Sequence, residues 1–96
     1  MDKPRIMVVC GFGLGSSIVL RMTLDKVLKE EGLKAETFCS DEATAKGQDF
    51  DLVLTSNEMV KLFKDSDKPA VVIENFLSKE EVREKALPSI KELIGE

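Results

Sequence analysis

Four short apolar runs alternate along this chain with stretches of helical period, and that alternation constrains the fold more than any other feature. RIMVVC (5–10) and DLVLT (51–55) are nearly continuous, as buried parallel strands are. AETFC (35–39) alternates like a strand with one face exposed, and PAVVI (69–73) tolerates Pro69 at its start. Between the first two runs, Leu20, Leu24, Val27 and Leu28 follow helical spacing, while Arg21, Asp25, Lys26, Lys29 and Glu30 take the other face. Gly32 stands where a helix terminates, so the pattern predicts a helix over 17–31. SDEATAKGQDFD (40–51) is polar and without a strong period, a loop with room for one helical turn. EMVKLFK (58–64) predicts a second helix, capped by Ser56 or Asn57. After the connector ENFLS, Ser78 and Glu81 fit a capping box in which Glu81 reaches back to Ser78. Val82, Ala86, Ile90, Leu93 and Ile94 then share one face of a last helix that Pro88 should kink or split.

Strands alternating with helices imply right-handed crossovers and a parallel sheet covered on both faces. The expected fold is a single α/β domain over 1–96: four parallel strands in the order 2-1-3-4 with helices on both faces. It is flavodoxin-like and similar to the low-molecular-weight phosphatase fold. In that order the winding reverses between the first and third strands, and ligands bind beyond the carboxyl ends of the strands at such a point. CGFGLGSS (10–17) and Thr55-Ser56-Asn57 both fall there.

Composition removes several chemistries. The 96 residues contain no histidine, so no Cys–His or Ser–His–Asp arrangement and no histidine-ligated zinc site can form within the chain. Two cysteines with no signal peptide (MDKPRIMVVCGFG lacks the long apolar core and cleavage site of one) point to a reducing, cytoplasmic setting. No run approaches the length of a membrane span, so no direct membrane insertion is expected. A net charge of −4 with acidic and basic residues interspersed gives no footprint for nucleic acid. No metal or cofactor is called for.

The glycine-rich turn is where chemistry concentrates. Gly11, Gly13 and Gly15 let the backbone approach an anion closely, and the helix that follows adds partial positive charge at its N-terminus. Ser16 and Ser17 can cap that helix or donate to bound oxygens. Cys10, at the strand end, sits where the same field lowers a thiol pKa, which activates a cysteine without histidine. A strand-end cysteine is more often packing, but the glycines, the helix start and the switch point converge on a nucleophile. A dinucleotide site is a weaker reading. The glycines alternate and Ser16 stands at the third fingerprint position; Asp41 lies roughly where the acid is expected, but a lone glycine fingerprint is weak evidence and a 96-residue unit leaves no room for a substrate domain.

Low-molecular-weight tyrosine phosphatases and thioredoxin-coupled arsenate reductases resemble this arrangement more closely. The phosphatase signature C-x-x-x-x-x-R-S puts Ser16 in the arginine's place and Ser17 on the serine. Without a guanidinium clamp a covalent phosphoenzyme would form but hydrolyse slowly, which suits a carrier.

VVCGFGLGSS, the Met22-x-x-Asp25 helix and LVLTSNE together resemble the cytoplasmic enzyme IIB component of a sugar phosphotransferase system (PTS), in the ascorbate-type branch of the lactose/cellobiose-like IIB superfamily. The resemblance spans essentially the whole chain. It implies that Cys10 accepts a phosphoryl group from a phosphohistidine on a IIA partner. Cys10 then passes it to a sugar, L-ascorbate by the same resemblance, held by a membrane-embedded IIC partner. It also implies that the backbone amides of Gly11, Phe12, Gly13, Leu14, Gly15, Ser16 and Ser17 hold the phosphoryl oxygens. Other assignments stay open. Ser56 and Asn57 either touch the phosphoryl group or only cap a helix. Phe12 and Leu14 pack on a partner or fold onto the core. Arg21 is solvated or meets an acidic partner. Cys39, which closes the second strand, is a redox partner of Cys10 or a partly buried structural thiol.

Overall fold

A computed structural model of the protein describes residues 3–9, 14–41, 45, 47–64 and 67–95, the side chains of Leu14 and Ser16 excepted. The apolar runs form β1 (Arg5–Val9), β2 (Glu36–Cys39), β3 (Leu52–Thr55) and β4 (Ala70–Val72). They make one parallel sheet in the order β2-β1-β3-β4, as the alternation predicts. The two nearly continuous runs are the two central strands, and both are buried on each face. β2, whose sequence alternates, is an edge strand and only half-buried.

Pleating divides each central strand between two cores. Ile6, Val8, Leu52 and Leu54 pack against Leu20, Leu24 and Val27 of helix α1 (Leu14–Glu31) and Val82, Ala86 and Ile90 of helix α2 (Lys79–Ile94). Met7, Val9 and Val53 face the opposite side, under Ala45, Phe50 and Phe63. Phe50 and Phe63 meet edge to face, with centroids 5.8 Å apart at 86°. Both faces are covered, but unequally: α1 and α2 share one, and short segments close the other. Each fully buried Leu or Ile contributes roughly 1.5–3 kcal/mol, so the α1/α2 side supplies most of the core.

The helix ends show why the elements stop where they do. Gly32 adopts φ +68°; Leu33 N–H donates to Leu28 O at 2.9 Å and Gly32 N–H to Lys29 O at 3.2 Å, a Schellman ending for α1. Glu30 then bridges to Lys79 (2.6 Å) and Arg83 (2.7 Å), and Glu31 to Arg83 (3.2 Å), tying the end of α1 to the start of α2.

Four expectations need correction. α1 begins at Leu14, not residue 17, because the glycine-rich run enters the helix. EMVKLFK forms a single-turn 3-10 helix (Val60–Phe63); it has one deeply buried side chain, Phe63, and a tight turn suffices to seat it. α2 runs through Pro88 as one element. Pro88 and Glu84 both lie on the exposed side of α2, and Pro88 has no N–H to give the Glu84 carbonyl. Ser78 does cap α2, accepting the Glu81 N–H at 3.1 Å, but Glu81 does not reach back to Ser78. Its carboxylate is drawn to the connector instead, where two backbone N–H groups are free. Within the loop 40–51, Ala45 N–H donates to Asp41 O at 3.0 Å; residues 42–44 and 46, where the helical turn is expected, lie outside the described residues.

Candidate functional site

The winding reverses between β1 and β3. The last row of the sheet there is Val9–Thr55–Val72, set by the registers Val9↔Thr55 and Thr55↔Val72. Cys10 follows Val9 in the chain, and Cys10, Gly11, Phe12 and Gly13 lie outside the described residues, as do the side chains of Leu14 and Ser16. The described structure places the ends of that segment: the last residue of β1 on one side and the first of α1 on the other.

Because α1 starts at Leu14, residues 14–16 open its first turn, and their N–H groups have no partner one turn back within the helix. No acidic side chain occupies that turn, so nothing in it offsets the positive end of the helix dipole. Gly15 is exposed and its φ is not positive; an added Cβ would meet no atom within 4 Å. Glycine there relieves no crowding among the described residues. Ser17 is buried, at 1% exposure, and is not without a polar partner. It is built into the base of the turn and does not project from it.

The second wall follows β3. Ser56 is buried; its Oγ accepts the Met59 N–H at 3.3 Å, and its carbonyl accepts Met59 N–H (3.1 Å) and Val60 N–H (3.0 Å). Ser56 therefore caps the turn 57–59 that leads into the 3-10 helix, whose own N-cap position is Met59. Asn57 is exposed. The two line a pocket of about 230 Å³ with Glu58, Ile73, Glu74 and Phe76, at the carboxyl ends of β3 and β4.

The third wall, the connector 73–78, is pinned from three directions. Ile73 N–H donates to Thr55 O at 3.0 Å, continuing the sheet. Glu81 accepts the N–H of Glu74 (2.7 Å) and of Asn75 (2.8 Å) on its two carboxylate oxygens. Thr23 Oγ1, in the middle of α1, donates to Phe76 O at 2.5 Å. Burial raises the Glu81 carboxyl, but the Glu74 N–H, the Lys85 ammonium and the Asn75 N–H outweigh it and hold the group below its ordinary value.

Two candidates fall to the side. Cys39 pairs with Val8, one row below the site, and packs against the α1/α2 core. It is a free thiol, and burial pushes it above its ordinary value despite the counteracting Arg21 charge, the opposite of what activates a thiol. Arg21 Nε donates to Thr37 Oγ1 at 3.1 Å and lies 3.9 Å from Asp25, which engages it with α1 and β2.

Sequence reasoning missed Thr23, and it placed Thr55 beside the site and Glu81 at a helix start without the roles the structure gives them. Glu81 carries a misleading signal, since the capping-box pattern offers another partner. A threonine at a buried position in a helix was a visible hint for Thr23. Thr55 ends an apolar strand and looks like ordinary β-propensity; its Oγ1 is in fact wholly buried with no hydrogen-bond partner.

Comparison with known proteins adds an independent line. The family model described as "PTS system, Lactose/Cellobiose specific IIB subunit" matches residues 5–86. The chain is 24% identical over 83 residues to the ascorbate-specific PTS system EIIB component of Mycoplasma pneumoniae, covering 83% of this chain and 87% of that protein. Its fold is similar to the lactose-specific IIB component domain of the phosphoenolpyruvate:carbohydrate phosphotransferase system from Streptococcus pneumoniae. There the TM-score is 0.55 at 11% identity, over 78% of this chain and 82% of the other.

Proposed function

The chain belongs to the PTS lactose/cellobiose-specific IIB family, whose members are phosphotransferases, and from that premise we propose that Cys10 is its transient phosphoryl carrier. The thiolate of Cys10 attacks the phosphorus of a phosphohistidine on a IIA protein. The S–P bond forms as the P–N bond breaks, and the imidazole nitrogen keeps the electron pair. An acceptor hydroxyl on a substrate held by a membrane IIC protein then attacks the same phosphorus. The O–P bond forms, the S–P bond breaks, the hydroxyl proton leaves, and the thiolate is restored.

One observation carries this reading: α1 opens four residues after Cys10, at the carboxyl end of the sheet where the winding reverses. The N-terminal end of α1 favours negative charge, thiolate before transfer and phosphoryl oxygens after it. The amides of Gly11, Phe12, Gly13, Leu14, Gly15, Ser16 and Ser17 are the proposed cradle. Ser56 keeps its capping role, and Asn57 is the second-wall residue free to reach a bound group. Serine at position 16, where a phosphatase has arginine, supports transfer over hydrolysis, because water then attacks without a guanidinium to stabilise the transition state.

L-Ascorbate is the proposed substrate, supported by the name of the Mycoplasma relative. A cytoplasmic site of action suits such a carrier, and among the described residues no helix is long and apolar enough to cross a membrane. Residues 1–96 are proposed to act as one unit.

The test is intact mass after incubation with phosphoenolpyruvate and the upstream phosphotransferase proteins. Wild type should gain one phosphoryl group and Cys10→Ser should lack the transferable adduct. An unmodified wild type with a competent donor chain ends the proposal.

A further inference from the structure

Thr55 is the last residue of β3 and stands between Val9 and Val72 in the row of the sheet nearest the site. Strand alternation puts it on the face of Met7, Val9 and Val53. Its exposure is 0%, and its Oγ1 has no hydrogen-bond partner among the described residues. Ser56, the next residue, has its hydroxyl engaged by Met59, and the buried Thr23 donates to Phe76 O, with Val19 O also within reach. Buried hydroxyls are almost always paired, and an orphan in a native core calls for a reason. Valine has nearly the same shape, suits a strand better and carries no such cost. Packing therefore does not account for a threonine here.

The placement does. Val9, its partner in the row, is covalently next to Cys10, and the main chain of Thr55 already organises the neighbouring wall through Ile73 N–H. We propose that the Thr55 hydroxyl is a donor reserved for the phosphorylated state: unpaired in the free protein, it donates to a phosphoryl oxygen once the group is on the carrier. The inference rests on the carrier reading above. It makes Thr55 a residue that sets how long the protein retains the group. The free protein bears the cost of the unpaired hydroxyl, and the phosphorylated protein is favoured by relieving it.

Thr55→Val, Thr55→Ser and Thr55→Ala separate the possibilities. For Thr55→Val the free protein should melt at the wild-type temperature or above it. The phosphorylated fraction at equilibrium with a fixed phosphodonor pool should fall roughly tenfold, the value of one charge-assisted hydrogen bond. The 31P resonance of the phosphoprotein should titrate at a higher pH than in wild type, since a donor to the dianion has gone. Thr55→Ser should recover the wild-type fraction and titration, and Thr55→Ala should repeat the valine defect. A wild-type fraction and 31P titration in a folded Thr55→Val protein would overturn the assignment while leaving the carrier intact. So would a valine variant that fails to fold, because removing an unpaired hydroxyl should not destabilise. If wild type takes up no phosphoryl group, the carrier reading falls, and this inference with it.

Discussion

Glu81 Oε2 accepts the backbone N–H of Glu74 at 2.7 Å, across the corner between β4 and α2. Its other oxygen takes the next N–H in the chain, that of Asn75, at 2.8 Å. A side chain in the first turn of α2 thus holds the connector that forms one wall of the site. Glu81→Gln keeps one acceptor and loses the charge. The expected cost is about 1–2 kcal/mol, read from the midpoint of urea unfolding, with faster amide exchange at residues 74 and 75. Unchanged exchange at both amides would remove the pin from the account of the site.

The same carboxylate sets an acid limit. Glu81 and Glu30 are both held below their ordinary value near 4.5, Glu81 by its N–H donors and Lys85 against its burial, Glu30 chiefly by the Lys79 hydrogen bond. In the unfolded chain both protonate near the ordinary value; in the folded protein they resist to lower pH. Their contribution is therefore fully present above about pH 4.5 and is lost as pH falls through the depressed folded values. Stability measured from pH 7 to 3 should fall mainly below that value, and less steeply in Glu81→Gln. Equal slopes in the two proteins would count against Glu81.

The two cysteines should separate on alkylation. Cys39 is buried enough to be pushed upward in pKa, whereas the proposed role of Cys10 needs a lowered one. With limiting iodoacetamide at pH 7, peptide mapping should find the label on Cys10 first. Cys39→Ala should leave phosphoryl uptake at the wild-type level. Preferential labelling of Cys39 would contradict the proposed environment of Cys10.

Pro88 lies inside an unbroken helix and is itself exposed, beside the buried Leu87. Pro88→Ala restores an N–H for the Glu84 carbonyl and removes the ring. That gain, roughly 3 kcal/mol by helix propensity, is reduced by the greater freedom of the unfolded chain. A net stabilisation of about 1–2 kcal/mol and a higher melting temperature are expected. A lower melting temperature would show that the proline ring packs in a way its exposure does not suggest.

Turnover of a chromogenic aryl phosphate should be negligible, because Ser16 stands where phosphatases place their arginine. Cys10-dependent hydrolysis at rates typical of a phosphatase would reverse the ranking of carrier over hydrolase.

Much of this protein could be read from its residues in order. Ile6, Val8, Leu52 and Leu54 announce buried strands by continuity, α1 announces itself by period, and a parallel α/β alternation leaves few topologies, of which β2-β1-β3-β4 is the one adopted. The place of the site follows from that order, and the cysteine-glycine run from its composition. These features are local, or follow from rules on handedness and connection that act on any such alternation. The structure decided what depends on competition between partners distant in sequence. Glu81 had a near partner in Ser78 and took the Glu74 and Asn75 amides, because folding brings β4 and α2 to one corner. Thr23 found Phe76, 53 residues away. Thr55 found nothing, although it looks in sequence like any strand threonine. A hydrogen bond is settled by which groups arrive within about 3 Å of each other without water, and no pattern along the chain records that distance.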